Sequence, residues 1–186
     1  EREVTVSRVE ASVTYPANFQ LVAAMNPCPC GHFPDRSRCR CTDGQITRYL
    51  QKVSGPMLDR IDICVEASPI TYGDIRSSGN NESSREIRAR VEQARKIQGE
   101  RFAGENIRCN GEMSGRHIRK FCGLGREEEK FMEEIFKKLA LSARMHDRIL
   151  KVARTTADLA GEEKIRLADL CEAVSYVKSR DKFWGN

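Results

Sequence analysis

Aromatic side chains are scarce in this chain of 186 residues: one Trp, four Tyr and seven Phe make up 6% of it. So few flat rings count against a surface that holds single strands by stacking bases. Long apolar runs are missing as well. None approaches the roughly 20 residues needed to cross a bilayer, and the opening residues, EREVTVSR, do not follow the positive-then-apolar order of a secretory signal. The expectation is a cytoplasmic protein with no membrane partner. There is no internal repeat and no low-complexity tract beyond the polar run SSGNNESS. Hydrophobic residues at 39% and charged residues at 32% are ordinary for a globular protein. The net charge of +5 permits an anionic partner without demanding one.

Cysteine is the exception, with eight residues. Cys64, Cys109, Cys122 and Cys171 lie singly in apolar surroundings and read as small buried hydrophobes with reduced thiols. The other four fall as C-x-C-x8-C-x-C within "MNPCPCGHFPDRSRCRC", residues 25–41. Two close pairs joined by a loop of Gly, Pro, Asp and Ser can turn back on themselves and converge on one ion. Cys28, Cys30, Cys39 and Cys41 are therefore candidate ligands of a structural zinc, with His32 able to replace one of them. Four protein ligands leave no open position for water, so this zinc would brace the chain rather than catalyse.

Composition changes near residue 70. Before it, VTVSR and ASVTY read as a hairpin around Arg8, Val9 and Glu10. FQLVAAM (residues 19–25) and IDICVEA (residues 61–67) read as buried strands. GQITRYLQKVSG reads as a short helix ended by glycine and proline. After it everything reads helical. Ser83 and Glu86 have the spacing of a capping box and open a charged helix over about 84–102, with Ile87, Val91 and Ala94 as a narrow apolar stripe. Helices are expected at about 114–122, 126–140, 142–160 and 167–178. In the longest, Met145, Ile149, Val152, Thr156 and Leu159 mark one buried face.

Three lone polar residues stand beside these features. Asn26 ends the first expected strand, where a buried polar group must be satisfied or used. Arg60 sits between two aspartates in "SGPMLDRIDICVE", and Arg144 lies in the first turn of "LSARMHDRILKVARTTADLAG". In this order the segments "QLVAAMNPCPCG", "LDRID", "LSARMHDRIL" and "ADLCEAV" resemble the carboxy-terminal part of the magnesium-chelatase-like AAA+ ATPases of the YifB/ComM type, over essentially the whole chain.

That resemblance implies an α/β fold: the carboxy-terminal part of a AAA+ P-loop core, residues 1–78, with few strands, a β-hairpin and a cysteine-rich insertion at 28–41. A linker helix and an all-α helical lid follow at 79–186. It implies Asn26 as the sensor 1 residue, Arg60 as the arginine finger and Arg144 as sensor 2, with Arg148 as the alternative one turn later. Such roles suit phosphoryl transfer, which is catalysed by positioning and charge neutralisation. The hairpin resembles one that points into a ring's central pore, which makes Arg8 a candidate DNA contact. The implied partners are ATP with magnesium, neighbouring subunits of a homo-oligomeric ring, a hexamer by expectation, and single-stranded or branched DNA.

The phosphate-binding pattern G-x-x-x-x-G-K-[ST] is absent, and no acidic pair ends an apolar strand before Asn26. The expectation is a fragment, running to a natural end at KFWGN, that does not hydrolyse ATP alone although its parent does. Two other readings stand beside this one. One is a zinc-containing nucleic-acid-binding module with a basic loop at Arg36, Arg38, Arg40 and Arg48, or a protein-interaction bundle. The other is remodelling of a chelatase partner.

Overall fold

The computed structural model describes residues 3–76 and 81–184, without the side chains at 74, 75, 178, 180 and 181. By contacts the chain divides into two compact units, Glu1–Leu50 and Gln51–Asn186. The boundary implied by the resemblance is at 78.

In the first unit, β1 (Glu3–Arg8) and β2 (Ala11–Pro16) form the expected antiparallel hairpin, with Val4 opposite Tyr15 and Val6 opposite Val13. The strand period of two sorts its faces. Val4, Val6, Val13 and Tyr15 share the apolar face, while Thr5 and Thr14 meet hydroxyl to hydroxyl at 2.9 Å on the other. Both faces are exposed, and Val9 at the tip is fully so. Helix α1 (Asp43–Leu50) closes the unit. Thr42 caps it reciprocally: its amide donates to Gln45 Oε1 at 2.9 Å and its hydroxyl accepts from the Gln45 amide at 3.3 Å. The buried apolar residues of this unit are Cys28, Ile46 and Leu50.

Two sequence expectations fail here. Residues 19–25 and 61–67 are not buried strands: neither belongs to a sheet among the described residues, and Phe19, Val22 and Val65 are 77%, 84% and 73% exposed. An apolar run records a demand for burial, but a strand also needs a neighbour to take up its amides and carbonyls. No described segment supplies one. The expected helix, ended by Gly55 and Pro56, is also shorter. α1 stops at Leu50, and Gly55–Pro56 opens a second helix, α2 (Gly55–Leu58), where proline loses nothing because first-turn amides have no intrahelical partner.

The second unit continues with α3 (Tyr72–Arg76) and α4 (Ser84–Arg101). The residues at 77–80, part of the expected linker, lie outside the described residues, as do Gly185 and Asn186. The capping box opens α4 as expected: Ser83 Oγ accepts from the Glu86 amide, and Glu86 Oε2 accepts from the Ser83 amide at 2.7 Å. A 3₁₀ turn at Asn110–Glu112 leads to α5 (Gly115–Phe121), α6 (Arg126–Lys138), α7 (Ala143–Leu159) and α8 (Leu167–Trp184), which runs past the expected end. Glutamates at 127–129 and lysines at 137 and 138 match the two ends of the α6 dipole.

Helix α7 is central, packing on α4, α5 and α8, and the core includes Phe102, Met113, Ile118, Met132, Ile149, Leu150, Leu170 and Val174. Its buried face differs from the expected stripe. Ile149, Leu150, Ala153, Arg154, Ala157 and Asp158 are inside, while Leu159 is 38% exposed. Two charged residues, Arg154 and Asp158, thus lie on the buried face, where a hydrophobic period calls for apolar side chains. On α4, Ala94 and Gln98 are buried, while Ile87 and Val91 are 43% and 44% exposed. Of the lone cysteines Cys122 is buried as expected, Cys64 and Cys109 are half-buried and Cys171 is exposed.

Candidate functional site

The sulfurs of Cys28, Cys30, Cys39 and Cys41 all lie within 4.8 Å of one another. The loop between the pairs folds back through local turns. Gly31 takes the left-handed conformation at φ 81° that glycine tolerates, and its amide donates to Cys28 O at 3.0 Å. The Cys39 amide donates to Asp35 O at 2.8 Å, and the Asp35 carboxylate accepts from the Ser37 amide and hydroxyl. Within the loop, Arg36 lies 5.0 Å above the Phe33 ring and pairs with Asp43 beyond the second cysteine pair.

Three measured sulfur separations are 3.4, 3.8 and 3.6 Å: Cys28 to Cys30, Cys28 to Cys39, and Cys30 to Cys39. Four thiolates at about 2.3 Å from a tetrahedral zinc have edges of about 3.8 Å. The donor set and its size therefore fit zinc. His32 is exposed and outside the group.

The thiols are electrostatically unequal. Burial works against the Cys28 thiolate, but the Phe33 amide, donating to its sulfur at 3.4 Å, draws the thiol below its ordinary value. The His32 amide outweighs burial at Cys30 and brings it down to about 6. At Cys39 the Cys41 amide pulls down, but burial and the sulfurs of Cys30 and Cys28 together push the thiol up. Burial, with the same two sulfurs, pushes Cys41 up to about 11. Four sulfurs this close cannot all be ionised without a cation among them.

In the second unit, the loop after α2 carries Arg60. This side chain is exposed and donates to Pro56 O at 2.6 Å, while Leu58 beside it is buried. Ser142 caps α7 by accepting from the Met145 amide at 3.2 Å. Arg144, in the first turn, is exposed and makes no hydrogen bond or ion pair with a described residue. Arg148, one turn on, is committed. Its Nε meets Asp62 Oδ1 at 2.9 Å, and its two terminal nitrogens donate to the carbonyls of Ile61, at 3.1 Å, and Asp59. Of the two arginines weighed in the sequence, Arg148 is engaged with the Arg60 loop and Arg144 makes no such contact among the described residues.

Asn26 belongs to the first unit, where it is exposed rather than at the end of a buried strand. A Cβ added to Gly31 would stand 3.6 Å from its Nδ2, so it neighbours the start of the cysteine loop. Arg8 closes the hairpin opposite Ala11 and is exposed.

Sequence reasoning missed a buried polar network around Asp158. This carboxylate is fully buried and accepts from both terminal nitrogens of Arg101, from Asn110 Nδ2 at 2.8 Å and from Arg154 Nε at 3.1 Å. Arg154 also donates to the carbonyls of Glu162 and Glu163, and Asn110 to Thr155 Oγ1. Burial pulls the Arg154 guanidinium below its ordinary value, against the attraction of Asp158. The network ties α4, the 3₁₀ turn and α7 together. The available signal was Arg154 and Asp158 spaced by four on a helix otherwise apolar on that side.

The family described as magnesium chelatase, subunit ChlI, matches residues 1–75, and its C-terminal family matches residues 81–177. The chain belongs to this magnesium-chelatase-like family. It is 42% identical over 175 residues to competence protein ComM of Haemophilus influenzae, covering 94% of this chain and 33% of that protein. Against protein YifB of Escherichia coli the identity is 43% over 176 residues, covering 94% and 34%. The chain thus spans about a third of the length of the curated relatives it matches. No helix among the described residues is long and apolar enough to cross a membrane.

Proposed function

We propose that the chain is the sensor, arginine-finger and lid portion of a AAA+ ATPase, a cytoplasmic ring motor, hexameric by analogy, that acts on DNA. The observation that carries this reading is the state of three arginines in one unit. Arg148 is locked onto the backbone either side of Arg60, while Arg60 and Arg144 keep their guanidinium groups exposed. Under this reading Arg60 reaches the γ-phosphate held by the neighbouring subunit, Arg144 brings the helical bundle onto the nucleotide of its own subunit, and Asn26 orients the attacking water. A guanidinium suits both phosphate contacts because it stays charged and presents forked donors. ATP and its magnesium are held by the remainder of the protein. The unpaired segments 19–25 and 61–67 find their strand neighbours there, in the P-loop core.

Zinc on the four thiolates braces the segment between Asn26 and Arg60. The first unit has few buried apolar residues, and a small core of this kind is where a structural ion adds most. Arg8, at the hairpin tip, contacts DNA in the pore. One relative is named a competence protein, and on that name we favour DNA over chelatase-type remodelling of a partner.

Steady-state ATP hydrolysis by the full-length protein tests the assignment. Arg60→Ala should lower kcat by a factor on the order of 10³, as loss of an arginine finger does, with nucleotide affinity retained. Arg144→Ala should weaken nucleotide affinity so far that turnover is lost at ATP concentrations near the wild-type KM. The 186-residue chain alone should turn over no ATP. Arg60→Ala at full rate, or turnover near about 1 per second by the chain alone, would overturn the reading.

Exposed Arg38, Arg40 and Arg48 favour a second reading, a nucleic-acid-binding module around the thiolate clip. Binding of single-stranded DNA by the isolated chain, weakening steeply with salt, would support it.

A further inference from the structure

Arg148 holds the Arg60 loop at three points. Its fork bridges the carbonyls of Asp59 and Ile61, the residues immediately before and after Arg60, and its Nε pairs with Asp62. Behind them, Lys182 of α8 pairs with Glu66 at 2.6 Å, and Ile61, Asp62 and Cys64 line a crevice with Met145, Arg148, Tyr176 and Val177. Arg60 itself rests on Pro56 O and is exposed. A helix moves as a stiff rod with a rise of about 1.5 Å per residue, so Arg144 and Arg148 are about 6 Å apart along one rod.

We propose that Arg148 is a positioning residue that transmits movement of α7 to Arg60. The grip on a subunit's own nucleotide through Arg144 would thereby set the finger offered to the neighbour. This rests on the roles of Arg60 and Arg144 proposed above. Lysine cannot replace it, because one ammonium cannot reach two carbonyls and a carboxylate in the planar geometry of a guanidinium. A purely structural clamp would hold the loop equally with or without nucleotide. A transmitting one changes with nucleotide occupancy.

The test uses the full-length protein that carries this chain, with ATP and a non-hydrolysable ATP analogue. In the wild type, the analogue should change amide exchange at residues 57–63. In Arg148→Ala, exchange there should rise by about tenfold or more and lose its response to the analogue. The same variant should lower kcat by about tenfold or more with nucleotide affinity within about threefold, and Arg60→Ala/Arg148→Ala should be no slower than Arg60→Ala. Asp62→Asn, which leaves α7 intact, should act in the same direction if the alanine variant folds poorly, and Arg148→Lys should not rescue.

Unchanged exchange at 57–63, or a full rate in Arg148→Ala while Arg60→Ala is dead, overturns the transmission role alone. Loss of nucleotide affinity at unchanged kcat makes Arg148 a nucleotide contact and overturns it too. A full rate in Arg60→Ala instead removes the functional reading beneath it.

Discussion

Replacing Asp158 by alanine removes the carboxylate at the centre of the network that joins α4 to α7. Its side chain is 0% exposed, while those of Arg101 and Arg154 are 14% and 3% exposed. The substitution leaves two guanidinium groups facing a small void, with Asn110 Nδ2 deprived of its charged acceptor. Breaking a buried pair by removing one partner costs about 3–5 kcal/mol, because the remaining charge cannot return to water. Against a total stability of about 5–15 kcal/mol, that is a large part of the margin. Urea denaturation followed by circular dichroism should show the midpoint falling by more than about 1 M with the slope preserved. The half-exposed Asp147 is the control, and Asp147→Ala should shift stability by less than about 0.5 kcal/mol. Equal midpoints for the two variants would refute the claim that this network anchors α4.

At Ala140 the chain adopts φ 46°, and the Leu141 amide bonds to Phe136 O in the closing motif that Gly161 makes at the end of α7. Ala140→Gly should stabilise by about 0.5–1 kcal/mol and raise Tm by about 1–4 °C; an unchanged or lower Tm would contradict this. Asp169 is pushed up by burial but held below its ordinary value by the Arg166 side chain and amide. Its contribution is complete above the unfolded carboxylate range, near pH 4, and disappears as pH falls through the lower folded value. Asp169→Asn should therefore flatten the acid limb of the stability curve below about pH 4, and an unaltered limb would refute it. Purified protein should carry about one zinc per chain, and chelation or Cys28→Ser should increase protease cleavage within residues 25–50 while sparing the helical unit; no zinc with unchanged cleavage would contradict the clip.

Features that depend on local spacing were legible in the sequence. The box at Ser83 and Glu86 satisfies amides within one turn, the hairpin needs only two alternating runs, and two cysteine pairs converge because the loop between them is short and rich in turn residues. Features that depend on a distant partner were not. Residues 19–25 and 61–67 have strand composition, but composition does not supply the neighbouring backbone. Arg154 and Asp158 are spaced by four on one helix, but nothing local shows that Arg101, 57 residues from Asp158, closes the network over them. The commitment of Arg148 to Asp62, across 87 positions to Ile61, was likewise invisible, and it separates Arg148 from Arg144.

Mixing two inactive forms of the full-length protein addresses the division of labour most directly. Under the proposed roles, Arg60→Ala subunits keep a working nucleotide grip, and Arg144→Ala subunits keep a working finger. In rings assembled from equal amounts, about a quarter of the head-to-tail interfaces pair an intact grip with an intact finger. Hydrolysis should therefore return to about a quarter of the wild-type rate in the mixture while each parent stays inactive. A mixture as inactive as its two components would contradict the assignment of Arg60 to the neighbouring subunit's nucleotide and Arg144 to its own.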